Sequence, residues 1–483
     1  LVLDDGRALA TRASADPSVG RRPGRIRLLP SGDDGIARDP NACPARCVAD
    51  GAPALRAPAE EALPRRLSVW ALWLLAINGM IGAGIFGVPA ELQRLAGAAS
   101  PWMFVLCGLL IAPIVLSFAR LASGFSGTGG PILYVGTAFG AHAGFQAGWA
   151  YYVARGTAYA ANLNLLVTTL AHWWPAAAGP ALRIGLMLVL SVAMAWVNVV
   201  GARAAMGSLG VLTVLKLAPL VVLALAGLAR LDATVFAAAV TPPSTFDLGA
   251  AVLLAIYAYV GFESTLVPAG EARDPRRDVP RALLWGLGVA AALYALVQVA
   301  AQSLLPGLVD SQRPLVDAGS ALAGGAGAAF VTLGIAASVG GNMLGSMFST
   351  ARISYRLALD GHLPAWFGRV DVRYGTPANS VWFYGAACFL LAASGTFAWL
   401  AVLSVLVRLL LYAGCVAALP RLRRAGVAML PLPGGRAIPI LALAVCAALM
   451  TQVSLAAVAA TAALLAVGSV LYSIAAWGRR DAL

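Results

Sequence analysis

The chain has 483 residues, of which 60% are hydrophobic and 11% charged, and it carries a formal net charge of +13. A soluble domain has about a quarter charged residues, so this composition excludes an ordinary soluble protein. Repeated apolar runs of about 20 residues, each able to cross a hydrocarbon core, identify an all-α integral membrane protein. Strand-type alternation of the outer-membrane barrel kind is absent. The positive charge is gathered in a few clusters that orient a membrane protein, and gives no sign of a nucleic-acid partner.

Residues 1–66 hold eleven arginines and no hydrophobic period, which predicts a disordered cytoplasmic tail without a signal-type apolar core. Its "CPARC" segment (Cys43, Cys47) lacks the four ligands of a tetrahedral metal site. His142, His172 and His362 are remote in sequence, and Cys107, Cys388, Cys415 and Cys446 fall in or near apolar runs. Neither a metal nor a cofactor is expected. An enzyme would need a convergent His, Cys or acidic set, and no such set is visible, so no enzymatic activity is expected either.

From Leu67 onward twelve spans are predicted, at 67–90, 100–122, 142–171, 181–200, 205–229, 248–269, 281–304, 326–356, 379–395, 397–419, 437–453 and 456–476. The third and eighth are long, which implies tilt or extra length. With the N-terminus inside, the inner loops hold Arg120, Arg203, "EARDPRRDVPRA", Arg356, Arg369, Arg373, "RLRR", Arg436 and Arg479–Arg480. The outer loops hold only Arg94, Arg183, Arg230 and Arg313. That asymmetry predicts a multi-pass protein of the cell inner (cytoplasmic) membrane with both termini cytoplasmic.

Two spans are interrupted by glycine. The first contains "NGMIGAGIFGVP" (78–89), with Gly79, Gly82, Gly84 and Gly87 close together; the sixth contains "YAYVGFESTLVPAGE" (257–271), with Gly261 and Pro268. Each glycine disfavours helix by about 1 kcal/mol relative to alanine, so the clusters predict unwound backbone, tolerated at membrane depth only beside protein or a cavity. Two broken helices five spans apart point to an inverted-repeat transporter with its substrate at the break. Close small-residue helix packing is the alternative.

"NGMIGAGIFGVPA" resembles the first-helix signature of amino-acid permeases of the amino acid–polyamine–organocation (APC) superfamily. "GTGGPILYV" (127–135), "YAYVGFESTLVPAGEARDPRRDVPRAL" and "STARISYRLALDGHLPAWFGRV" are similar to later segments of the same family, in the same order. The resemblance implies a five-plus-five inverted repeat of the LeuT-like kind, with 67–229 as first repeat, 248–419 as second, and 437–477 as two additional helices. It also implies secondary active amino-acid transport by alternating access. Proton-coupled uptake is the first expectation. An amino-acid or polyamine antiporter, or a non-transporting sensor on the same scaffold, is the alternative.

An α-amino acid brings a carboxylate and an ammonium. Amides after the first break, at Gly82, Ala83 and Gly84, are candidates for the carboxylate. Carbonyls before the breaks, at Ile77, Asn78, Tyr257 and Ala258, are candidates for the ammonium, with Gly261 completing the sixth-helix break. Phe86, Tyr259, Phe262 and Glu263 are candidate gating residues, and the resemblance puts an aromatic gate near Tyr257. A carboxylate in mid-span costs about 2.5 to 3.5 kcal/mol on insertion scales, so Glu263 should face a cavity, a partner or unwound N–H groups. Arg155, Arg352 and Arg408 are also predicted within spans, with Arg352 near enough to the surface to snorkel and Arg408 without a sequence-local partner. The scarcity of carboxylates near the breaks argues for neutral amino acids.

Lys216, in "LTVLKLAPL", is the only lysine in the chain. The segment resembles the fifth helix of those permeases that carry a lysine where sodium-coupled relatives bind a cation. Its ammonium would donate to carbonyls freed at the first break. Because a buried lysine can exchange its proton whereas arginine cannot, Lys216 is either a proton-coupling switch or a fixed counter-ion.

Overall fold

The computed structural model describes residues 67–125, 130–201, 209–230, 247–266, 272–431 and 434–480. The predicted disordered tail with Cys43 and Cys47, the loop arginine Arg203 and the sixth-span Pro268 lie outside the described residues. The described residues form helices joined by turns and loops, with one isolated bridge between Leu67 and Ala272 and no other strand pairing among them.

In chain order the first broken segment comprises α1 (Val69–Met80), α2 (Gly84–Gly87) and α3 (Pro89–Ala96). There follow α4 (Ser100–Gly124), α5 (Pro131–Phe139), α6 (Ala141–Leu170), α7 (Pro180–Gly201) and α8 (Leu209–Ala229). The second broken segment is α9 (Leu248–Tyr257) and a 3-10 turn at Phe262–Leu266. Last come α10 (Pro275–Leu304), α11 (Pro314–Leu359), α12 (Ala378–Ser394), α13 (Phe397–Arg424), α14 (Ala437–Met450) and α15 (Leu455–Arg480). Helix occupies most of the described part of each predicted span outside the two breaks, with some span ends, such as 451–453, in turns. Among the described residues nine segments are long and apolar enough to cross a membrane, with α12 and α14 as shorter apolar helices.

Two elements depart from the predicted boundaries. α11 starts at Pro314, well before the predicted 326, and bends at Ala323 and Gly324, where Gly324 takes φ 58°. α5 was not predicted, because nine residues are too few for a span.

The molecule has an inverted polarity pattern. Leu109, Val189, Val214 and Leu225 are exposed, as a lipid-facing surface requires, whereas Arg155, Asn162, Lys216, Glu263, Gln298 and Arg408 are buried. α6 carries several of the buried polar residues and is enclosed on most of its length.

Both broken segments open on a side-chain cap: Ser68 Oγ accepts from the Ala71 amide at 3.3 Å, and Asp247 from the Ala250 amide at 2.9 Å. They then meet backbone to backbone. A Cβ on Gly79 would strike the Gly261 carbonyl and the Ser264 hydroxyl, and one on Gly261 would strike the Gly79 carbonyl. Gly261 also has φ 113°, a conformation that L side chains rarely adopt. Gly261→Ala is therefore expected to lose monodisperse protein in detergent size-exclusion. The backbone strain alone contributes about 1–3 kcal/mol, and displacement of α1 adds to it. Gly288→Ala, where a Cβ meets nothing within 4 Å, should behave as the unaltered chain. Equal behaviour of the two variants would refute this account of the crossing.

Candidate functional site

α1 ends where the Ile81 amide donates to the Ile77 carbonyl at 2.8 Å and the Gly82 amide folds back on the Met80 carbonyl at 2.9 Å. The carbonyls beyond are met by side chains from neighbouring helices. Lys216 Nζ, on α8, donates to the Ile81 carbonyl at 3.0 Å and the Asn78 carbonyl at 3.2 Å. Ser338 Oγ, on α11, adds a second bond to the Ile81 carbonyl at 3.3 Å, and the Asn78 amide group donates to Thr213 Oγ1. One ammonium thus holds two carbonyls of a helix that has lost its own amide donors.

The second break is closed by charge. Glu263 Oε2 accepts from the Gly261 amide at 2.9 Å and from the Tyr412 hydroxyl at 2.8 Å. Its other oxygen, Oε1, accepts from Arg408 Nε at 2.8 Å. Arg408 Nη1 donates to the Ala154 carbonyl at 3.0 Å and the Ser404 carbonyl at 3.3 Å, and also to the Ser404 hydroxyl. Glu263 and Arg408 are both fully buried. The pair fastens the unwound α9 segment to α13, and through Ala154 to α6.

Between the breaks lies a cavity lined by Gly79, Met80, Gly82, Ala83, Gly84, Arg155, Ala158, Asn162, Tyr257, Val260, Gly261, Asn342, Ser346 and Arg408. The space open to the centre of a water-sized sphere is about 30 Å³, so a solute of amino-acid size must part its walls. Asn162 on α6 donates to Asn342 on α11 at 3.1 Å across one wall.

The predicted site residues divide between this cavity and its supports. Gly82, Ala83, Gly84, Tyr257 and Gly261 line the space; Ile77, Asn78 and Ala258 do not. Several of the candidate backbone groups already have partners in this structure. The Gly82 amide is already engaged by Met80, and the Ile77 carbonyl closes the last turn of α1. The Asn78 carbonyl is taken by Lys216, and the Ala258 carbonyl by the Tyr294 hydroxyl at 2.9 Å. Among the described residues, the Ala83 amide meets no acceptor and the Tyr257 carbonyl no donor.

Of the aromatic candidates, Tyr257 lines the cavity and packs edge-on against Phe397 at 5.8 Å between centroids. Tyr259 turns away, donating to the Phe104 carbonyl at 2.6 Å and packing on Tyr294. Phe262 packs among Phe118 and Tyr412, and Phe86 is buried outside the lining. Tyr259 and Phe262 are thus surrounded by packed aromatic rings and do not line the cavity. Lys216 stands behind α1 and does not line the cavity.

Sequence reasoning assigned no site role to Arg155, Asn162, Asn342, Ser346 or Tyr412. A signal existed for the first, since a mid-span charge normally faces a cavity. The polar residues on α6 and α11 become meaningful only once the two helices are adjacent. Arg352, read as near the surface, donates to the Phe348 carbonyl at 2.5 Å and lies over the Phe348 ring.

Residues 67–477 match the amino acid permease family. An uncharacterized transporter of Mycobacterium tuberculosis is 30% identical over 435 residues, covering 86% of this chain and 92% of that protein. A putative arginine/ornithine antiporter of Bacillus subtilis is 28% identical over 345 residues, 64% of this chain and 73% of its own length. A serine/threonine exchanger of the same organism is 26% identical over 314 residues, 63% and 70% of the two chains.

Proposed function

Because the chain belongs to the amino acid permease family of the APC superfamily, we propose that it moves amino acids across a membrane by alternating access around the cavity between its two broken helices. In this reading twelve helices cross the cell inner membrane with both termini cytoplasmic, arranged as two five-helix repeats and two added helices. The arginine asymmetry of the loops supports that orientation. The observation that carries the reading is the convergence of both breaks on one cavity lined by Ala83 and Tyr257, whose amide and carbonyl, respectively, have no backbone partner among the described residues. Those two groups match the carboxylate and ammonium common to all α-amino acids.

Charge narrows the substrate. The cavity lining contains two guanidiniums and no carboxylate, and Glu263 is committed to Arg408. A cationic side chain or a polyamine would meet repulsion there, so the reading is an amino acid without positive side-chain charge. Neutral amino acids satisfy this condition.

Two coupling modes are proposed. In proton-coupled uptake, Lys216 releases and regains a proton as α1 moves. In exchange, which the antiporter and exchanger among the similar proteins favour, substrate binding on each side drives the cycle. Reconstitution into liposomes separates them. Accumulation under an imposed pH gradient without internal substrate indicates symport, and uptake that requires internal amino acid indicates exchange. Saturable binding without either flux would overturn transport in favour of a sensor.

A further inference from the structure

Arg155 is the charged group of the cavity that has no ion-pair partner among the described residues. It sits on α6, is 8% exposed, and lines the same cavity as Gly82, Tyr257 and Gly261. Its Nε meets no hydrogen-bond partner, and its guanidinium makes no ion pair among the described residues. Arg408, the other arginine of the lining, is by contrast answered by Glu263, Ala154 and Ser404. Lys216, which does not line the cavity, is held by the Asn78 and Ile81 carbonyls and offers no negative charge. With Arg408 paired to Glu263 outside the lining, Arg155 gives the wall one positive charge that no carboxylate among the described residues balances.

A buried guanidinium is fixed in its charged form and presents a planar fork suited to two carboxylate oxygens. A zwitterionic amino acid can occupy the Ala83 amide and the Tyr257 carbonyl but leaves the cavity with its excess charge. An amino acid with an acidic side chain brings a second carboxylate and net charge −1, which cancels that excess.

We propose that Arg155 is a specificity-determining residue and that the transported substrate is an amino acid with an acidic side chain. Its second carboxylate is bound by the Arg155 guanidinium, while its α-carboxylate and ammonium lie at the two breaks. This rests on the transport reading and replaces the neutral substrate within it.

The test is counterflow of radiolabelled L-glutamate, L-aspartate, L-glutamine, L-serine and L-arginine in liposomes containing the full chain, alongside Arg155→Gln and Arg155→Lys. Glutamate or aspartate should be preferred over glutamine. Arg155→Gln should lower the acidic-to-glutamine flux ratio about tenfold or more, as loss of a charge-assisted contact implies. Arg155→Lys should retain the acidic preference at weaker affinity. The ratio is indifferent to a general loss of folded protein. If the unaltered chain exchanges glutamine, serine or arginine better than both glutamate and aspartate, the proposal falls while transport stands. An equal reduction of glutamate and glutamine flux by Arg155→Gln also overturns it, since Arg155 would then serve the α-carboxylate or the fold. No flux of any of the five amino acids overturns the transport reading, and the proposal with it.

Discussion

Arg408→Met should destabilise the protein by about 3–5 kcal/mol, the usual consequence of leaving one member of a buried pair without its partner. The magnitude follows from what Glu263 would face. Its carboxylate keeps the Gly261 amide and the Tyr412 hydroxyl, but loses the only cation paired with it among the described residues, in a site with no solvent exposure. Arg408 also bonds the Ala154 carbonyl on α6 and both oxygens of Ser404 on α13, ties that the variant would lose, although the Ala154 carbonyl keeps Thr157 Oγ1 and Ser404 Oγ as donors. Unfolding in detergent, followed by loss of monodisperse protein with temperature, reads this directly. The charge argument makes a further demand. Adding Glu263→Gln to Arg408→Met removes the unpaired charge yet leaves an amide oxygen for the Gly261 N–H, so the double variant should recover a large part of the loss. A double variant no more stable than Arg408→Met alone would mean that packing, not charge, holds this joint.

The joint illustrates what the sequence could and could not reveal. Glu263 and Arg408 were each visible as a mid-span charge requiring a partner, but the two are 145 residues apart. Nothing local connects them; only the crossing of α9 with α13 does. The breaks were more legible, because clustered glycine is a local signal for unwound backbone, and Gly82, Ala83, Gly84, Tyr257 and Gly261 do line one cavity. Which amides and carbonyls remain available was not legible. The Asn78 and Ala258 carbonyls are claimed by Lys216 and Tyr294, donors that come from other helices. The early start of α11 was hidden by "GSALAGGAGAA", a glycine-rich stretch that reads as a loop in water. In the structure it is helical on both sides of a single bend at Ala323 and Gly324.

Lys216→Ala should reduce accumulation driven by an imposed pH gradient by about tenfold or more, given that each charge-assisted bond contributes about 1.5–3 kcal/mol. The two bonds at stake are unequal. Without the ammonium, the Ile81 carbonyl keeps Ser338 Oγ, whereas the Asn78 carbonyl loses the donor it has among the described residues. The damage is therefore expected on the α1 turn that precedes the break, and it should affect the resetting of α1 more than overall folding. Lys216→Arg distinguishes the two roles open to this residue. A guanidinium can still donate to carbonyls, but it does not release its proton. If Lys216 is the coupling group, Lys216→Arg binds substrate and remains unable to concentrate it under a pH gradient. If it is a fixed counter-ion, Lys216→Arg keeps concentrating substrate while Lys216→Ala does not. Continued concentration by Lys216→Ala would remove Lys216 from coupling altogether and leave its two hydrogen bonds as support for the broken helix alone.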